Sequence, residues 1–332
     1  MYFKNLVVFD VPLLTLTEDK IGELLQEYRY IPCDGNDESS SGFASPHPEL
    51  DDPLFFAQEG TYLFAYKTES KKVANDDIEE ELKNRLLKLK EADPDGDIDA
   101  GEKDTMRDKI KYELLPKARS TFSTVFSFYD PKSRRLYVES ISIDKASTMV
   151  KALVSAIESE QSWTFTPILP IEDASKCIKD WIKDPEKRPE ALTFGDKFTL
   201  VNHKSNGKIK YDKFDETDKQ VITYVKKQHD VVEVTLEQEV GMSGLLNVAG
   251  FHFKSLKYDA SIKAKVAEAA SDSETAEEAI ALKFDLEYKV GREAIVEFID
   301  VMLGYFGGGH NPEDLSNGSA DADFDLPDDA GN

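Results

Sequence analysis

Residues 103 to 143 change their apolar period from helical to extended on either side of Pro116, and that switch constrains the fold more than any other stretch. Met106, Ile110 and Leu114 recur at helical spacing. Pro116 lacks the N–H that would continue the ladder, so it ends or kinks the helix. Phe122, Phe126 and Phe128 then share one face of a strand with Thr124, and Asp130-Pro131 opens a turn with Arg134 and Arg135 at its exit. The helix stripe and the phenylalanine strand are expected in the core. A hairpin joins antiparallel strands, and the other strand-like segments also come as hairpins and meanders between helices. The chain therefore reads as α+β, with mixed or antiparallel sheets and packed helices, and not as a doubly wound parallel sheet.

The remaining segments fit that class. Residues 2–11, 61–67, 197–202, 208–214, 231–236, 250–257 and 282–289 have strand character. Thr15 and Glu18 form a capping-box pattern ahead of a helix carrying Ile21, Leu24, Leu25 and Tyr28. Ile78, Leu82, Leu86 and Leu89 mark a second helix, and 144–159, 174–182, 217–228, 261–279 and 292–306 read as further ones. Residues 34–53, rich in Asp, Glu, Ser, Gly and Pro, are expected to be a mobile loop. Residues 1–310 thus make an α+β region of several lobes. Residues 311–332, with seven acids and no base, are expected to be a disordered acidic tail.

Charge gives the chain its character. It has 65 acids against 41 bases, a formal charge of −24. Such a balance favours solubility and opposes loose adhesion to nucleic acid, yet charge can be segregated by face. No apolar run approaches the ~20 residues that span a bilayer, so no membrane partner is expected. The opening MYFKNLVVFD reads as a mature strand and not as a signal peptide. Cys33 and Cys177 lie far apart without CxxC spacing, which suits a reducing cytoplasm.

Two acidic motifs invite metal chemistry. Residues 91–102 place Glu91, Asp93, Asp95, Gly96, Asp99 and Glu102 in the order of a calcium-binding helix–loop–helix. Glu at the first position and Pro94 depart from that pattern, and a solvated acidic connection explains the residues as well. Asp285, Glu287 and Lys289 give an E-x-K sequence of the kind found in Mg²⁺-dependent nucleases. Plain alternation on a half-buried strand accounts for it more simply. No Walker A, G-x-S-x-G or G-x-G-x-x-G motif occurs, so the residues do not predict an enzyme or a cofactor.

The remaining candidates are cations. Lys103, Arg107, Lys111, Lys117 and Arg119 form one cluster, which Arg134 and Arg135 extend. Lys204, Lys208, Lys210 and Lys213 form a second, beside Tyr211 and Phe214, and Lys226-Lys227 a third. Several cations on one surface neutralise phosphates without reading sequence. Ordinary solvated helix faces and strand edges would look the same from sequence.

An ordered series of segments resembles the recombination-associated RdgC family. It comprises FKNL at 3–6, YIPC at 30–33, KDTMRDKIKYELLPKARSTFS at 103–123, KIKYDKFDETDKQV at 208–221, FHFKSLKYD at 251–259 and LGYFGG at 303–308. The resemblance implies a multi-lobed, horseshoe-like protomer closing into a ring-shaped homodimer, with duplex DNA in a basic hole and an acidic exterior. It implies DNA binding without sequence preference, antagonism of RecA-promoted recombination, and a nucleoid-associated place in the cytoplasm. Lys117, Arg119, Arg134, Arg135, Lys208, Lys210, Lys213, Phe214, Lys226 and Lys227 are the residues expected to face DNA. Arg119 stands where the family often has a bulky aromatic, and Phe214 could supply the missing wedge. The alternatives are a Mg²⁺-dependent exonuclease, a label the family also carries, and an acidic protein-interaction or DNA-mimic module led by the tail.

Overall fold

The computed structural model describes residues 1–47, 51–92, 98–202, 204–227, 229–270 and 276–309. The acidic segment 311–332 and the loop positions Asp93 to Asp97 therefore lie outside the described residues. The fold is α+β, and the strand pairs named below are antiparallel. Two compact units interleave along the chain: residues 1–15, 129–147 and 161 onward form the first, and residues 16–128 and 148–160 the second. Among the described residues, no helix is long and apolar enough to cross a membrane.

In the second unit, α1 (Glu18–Gln26) is capped by Thr17, whose Oγ1 accepts from the Lys20 N–H at 3.3 Å. Thr15, the expected cap, instead donates its N–H and hydroxyl to Gln161 Oε1, each at 3.0 Å. Strand β2 (Ser39–Ala44) occupies part of the expected loop. It pairs with β4 (Thr61–Lys71) from Ser39↔Ser70 to Ala44↔Ala65. Its serines hide the alternation that marks a strand. Gly42 is needed there, because a Cβ would stand 2.5 Å from Tyr30 N. Strand β3 (Phe55–Gln58) turns into β4 through Glu59 and Gly60 at φ 53° and 81°, a two-residue hairpin with both central residues left-handed.

On β4, Glu69 is only 5% exposed. Its carboxylate accepts from Ser120 Oγ at 2.5 Å, Tyr30 OH at 2.6 Å and the Cys33 N–H at 2.9 Å. These donors, Ser120 foremost, hold its pKa down at about 2. Burial, then the Glu69 carboxylate, pushes Tyr30 up to about 12.

Helices α2 (Asn75–Ala92) and α3 (Ala100–Leu114) share a small core of Val73, Ile78, Leu82, Ile110 and Leu115. Met106, Leu86 and Leu114 pack against it, whereas Leu89 is exposed. A single 3-10 turn, Leu115–Lys117, carries Pro116 and ends α3 as the sequence predicts. Strand β5 (Ser120–Asp130) follows. Phe128 is buried, but Phe122 is 59% exposed and does not join the core. Residues 121 to 124 are all exposed, so neither face of the strand is covered there.

In the first unit, β1 (Val7–Asp10) pairs with β6 (Arg135–Val138) from Val7↔Val138 to Asp10↔Arg135, and with β7 (Thr166–Pro167). Helix α4 (Ile143–Ile157) starts in this unit and continues into the second, to which its buried Met149, Val150, Leu153 and Ile157 belong. Helix α5 (Ala174–Lys183) starts at Asp173, which accepts from the Lys176 N–H. A five-stranded sheet runs β12-β11-β10-β8-β9. Its strands are β8 (Leu192–Asn202), β9 (Lys208–Tyr211), β10 (His229–Gln238), β11 (Met242–Asn247) and β12 (His252–Tyr258). Helix α6 (Lys219–Lys226) joins β9 to β10.

The chain then enters α7 (Ala260–Ala270) and α8 (Ala276–Tyr305). Residues 282–289, expected to be a strand, and 292–306, expected to be a separate helix, are both part of α8. Phe284 and Tyr288 fit either period over so short a window. Ile295, Phe298, Ile299 and Met302, all buried, extend the helical one. Phe253 meets Phe298 of α8 at 4.9 Å, and Phe251 meets Phe306, just past the helix, at 5.6 Å, so α8 and the turn after it close the aromatic core of this unit.

Candidate nucleic-acid interface

The densest set of free cations lies on β9 and α6 in the first unit. Strand β9 is the edge of its sheet, paired through Lys208↔Val201 and Lys210↔Thr199. Residues two apart on a strand share a face. Lys208 and Lys210 are accordingly both exposed, while Ile209 and Tyr211 are half-buried. The preceding turn is fixed by Asn202 Oδ1, which accepts from the N–H groups of Lys204 at 2.8 Å and Ser205 at 3.3 Å.

Beyond β9, the Phe214 N–H donates to Asp196 O at 2.8 Å, and its ring stacks on Phe198 at 4.3 Å. Phe194 meets the same ring edge-on at 5.8 Å. Phe214 is thus an anchor of the loop and does not project as the expected wedge. Its neighbour Lys213 is exposed. Asp218 caps α6 by accepting from the Gln220 N–H at 2.7 Å, and Val221 and Val225 are buried. Lys226 and Lys227 are exposed at the far end, where a helix favours cations.

From Lys204 to Lys227 there are seven lysines and four acids, the reverse of the whole chain's balance. Three of the four acids serve local structure. Asp215 accepts from the Thr217 N–H and hydroxyl, which hold its carboxyl below its ordinary value. Glu216 pairs with Arg188, and Asp218 is the cap. None of Lys204, Lys208, Lys210, Lys213, Lys226 and Lys227 is ion-paired among the described residues.

A second group of exposed cations lies in the other unit. Lys117 and Arg119, both exposed, line a cavity of about 480 Å³ at the start of α2 and the end of α3. Lys72, which sequence reasoning missed, joins them; Asp77, Glu80 and Glu81 stand on the α2 side. Lys72 is distant in sequence from the cluster it joins, and no local pattern marks it.

Of the other predicted cations, Arg107, Lys111 and Arg135 are engaged by acids. Arg107 pairs with Glu79 at 2.6 Å and Asp104 at 2.7 Å, and Lys111 with Glu38 at 2.7 Å. Arg135 has only 12% of its side chain exposed and pairs with Asp300 at 2.6 Å and Asp10 at 3.3 Å. Burial lowers its pKa, but Tyr137, then Asp10 and Asp300, outweigh that and raise it. Arg134 sits in the turn before β6 at φ 53° and is half-buried.

The acidic motifs are also accounted for where they are described. Asp99 and Glu102 form the capping box of α3, with Asp99 Oδ1 accepting from the Glu102 N–H at 2.8 Å and Glu102 Oε2 from the Asp99 N–H at 3.2 Å. Glu287 is on α8, ion-paired with the Met1 ammonium at 3.1 Å. Asp285, Glu287 and Lys289 therefore do not line a strand. Among the described residues, no three His, Cys, Asp or Glu side chains converge as a cation site.

A family model described as "Putative exonuclease, RdgC" matches residues 1–309. Relatives named recombination-associated protein RdgC align along nearly their whole length. The Yersinia enterocolitica protein is 22% identical over 310 residues, covering 93% of this chain and 98% of its own. The Shewanella halifaxensis protein is 23% identical over 314 residues, with the same coverage. A match that runs through both units makes this chain a member of the RdgC family.

Proposed function

We propose that this chain binds duplex DNA without sequence preference and thereby restrains recombination by a RecA-type recombinase. In this reading horseshoe-like protomers close into a ring-shaped homodimer around the duplex, in the cytoplasm and associated with the nucleoid. The observation that carries the reading is the set of exposed, unpaired lysines on β9 and α6 in a chain of net charge −24. Exposed free cations are what phosphate neutralisation requires, and fixed side-chain contacts to base edges are not needed for it. Family membership supports the link to recombination. The reading invokes no cofactor.

A duplex-binding titration across salt concentrations, run with a measurement of solution mass, tests it. Affinity should fall steeply with salt, and the mass should be that of two chains. The combined variant Lys117→Glu, Arg119→Glu, Lys210→Glu and Lys213→Glu should lose at least about tenfold in affinity. Affinity that survives these reversals refutes the assignment of the surface. The exonuclease reading, favoured by the family model's description, is answered by end-labelling the same duplex and adding Mg²⁺. Shortening of the label that is lost in Glu287→Ala would install it in place of simple occupancy.

A further inference from the structure

A buried histidine stands behind the turn that carries Lys204. Strand β8 ends at Asn202, and the chain returns into β9 at Lys208. The turn between them closes on Asn202. The Asn202 N–H donates to Gly207 O at 3.0 Å, and its carbonyl accepts from the Asn206 N–H at 2.9 Å. Asn206 itself holds φ 51°. The side-chain oxygen of Asn202 accepts from the Lys204 and Ser205 N–H groups. Across the ladder Asn202 is paired with His229, which is 7% exposed, and Asn202 Nδ2 lies 3.2 Å from His229 Nε2.

This network fixes a proton. Backbone N–H groups only donate, so the Asn202 atom facing Lys204 and Ser205 is the oxygen. The atom facing His229 is then the amide nitrogen, which is also a donor. His229 Nε2 must accept, and this requires a neutral ring with its proton on Nδ1. That Nδ1 is buried without a hydrogen-bond partner. A buried N–H left unpartnered is costly, so the tautomer is set by what Nε2 has to accept.

The surroundings of the ring contain little else that titrates. From α6, Tyr224 packs on it with ring centroids 5.0 Å apart, and Lys226 and Lys227 are exposed beyond. Opposed residues of an antiparallel ladder share a face, so Asp230, Val201 and Lys208 stand together on the face opposite to His229. Asp230 pairs there with Lys179 of α5. Among the described residues, no carboxylate pairs with the ring.

We propose that Asn202 is the positioning residue of the lysine turn and that neutral His229 holds its amide, so that a proton on Nε2 releases the turn. Protonation sets two donors, Nε2–H and the Asn202 amide N–H, against each other. If the amide rotates to give the ring its oxygen, the Lys204 and Ser205 N–H groups lose their acceptor and face an NH2 group instead. Either arrangement loosens the turn ahead of β9. The consequence for DNA rests on the binding reading above; the clasp itself does not.

The first test needs no DNA. In the full chain, nitrogen NMR of the ring at about pH 8 should show His229 with its proton on Nδ1 and none on Nε2. The reverse tautomer overturns the proposal. Amide exchange, read residue by residue and corrected for its intrinsic pH dependence, gives the second readout. Protection of the Lys204 and Ser205 N–H groups should fall at least about fivefold from about pH 8 to about pH 5, as the loss of a hydrogen bond implies. The Phe253 N–H, bonded to Leu6 O, is the unchanged reference. His229→Gln keeps an acceptor for the Asn202 amide but no titrating ring, and its protection should not change with pH. Asn202→Asp keeps an oxygen for the turn and presents a second one to a protonated ring, so its protection should hold or rise towards acid. His203→Gln, at a position outside the described residues, should leave the fall in place. A fall that persists in His229→Gln, or vanishes in His203→Gln, overturns the assignment to His229.

Duplex titrations of the same proteins separate the clasp from the DNA reading. His229→Gln should bind at least about threefold tighter than the unaltered chain near pH 5 and equally near pH 8, because its turn stays pre-ordered. The histidine charge that it lacks works against this gain. Equal affinities throughout, with the fall in protection intact, would uphold the clasp and take the turn out of the DNA-binding reading.

Discussion

Glu69 concentrates the pH sensitivity of the second unit in one carboxylate. Its ordinary value is 4.5, and hydrogen bonds from Ser120, Tyr30 and Cys33 hold it at about 2 in the fold. Folding lowers this pKa, so the ionised form favours the folded state fully above pH 4.5. That contribution is lost as pH falls from 4.5 towards about 2. Urea unfolding followed across this range should show stability declining with pH. Glu69→Gln should be less stable at neutral pH, and its curve should converge on that of the unaltered chain at the acid end. A variant curve that stays parallel throughout would mean the carboxylate is not what titrates. No local pattern singles out Glu69, because Tyr30, Cys33 and Ser120 reach it only after β4 and β5 have formed.

Among the elements, α8 departs furthest from its sequence reading, and it carries a sharp test. Gly291 lies mid-helix, and Ala in place of Gly in an open helix would add about 1 kcal/mol of stability. Here a Cβ would stand 2.4 Å from the Met1 carbonyl oxygen, a backbone atom that cannot swing aside. Gly291→Ala should therefore destabilise, by about 1–3 kcal/mol as overpacking does, with a lowered denaturation midpoint as the readout. A raised midpoint would show that Met1 does not pack there. Helices α2 and α3 and the stop at Pro116 were legible because apolar spacing and caps are local signals. Residues 282–289 were not, since eight residues satisfy both periods and only the residues after them decide. Strand β2 was hidden by its serines, and Phe122 looked like core because alternation says nothing about whether a layer covers the face.

At the level of the whole molecule, charge is arranged and not merely summed. The lysines of β9 and α6 were legible because they are close in sequence. Lys72 was not, and neither was the loss of Arg135 to Asp10 and Asp300, which come from opposite ends of the chain. For cations that meet duplex phosphates, each one removed should lower the magnitude of the salt slope by about 0.9. Lys208→Ala with Lys210→Ala, and Lys117→Ala with Arg119→Ala, should each lower it by about two. Weaker binding at an unchanged slope would assign a pair to folding and not to phosphate contact. The interleaving of the two units has a further consequence in time. Leu6 hydrogen-bonds Phe253 in both directions, at 2.7 and 2.9 Å, and Met1 lies against Gly291. At about 5–20 residues per second on the ribosome, the opening residues wait roughly ten to fifty seconds for those partners. All residues of the second unit have been made by residue 160. Synthesis thus lets the later-starting unit fold first; β1 meets its partners β6 and β7 by residue 167, whereas Met1 and Leu6, just ahead of it, must wait for residues made about 250 to 290 positions later.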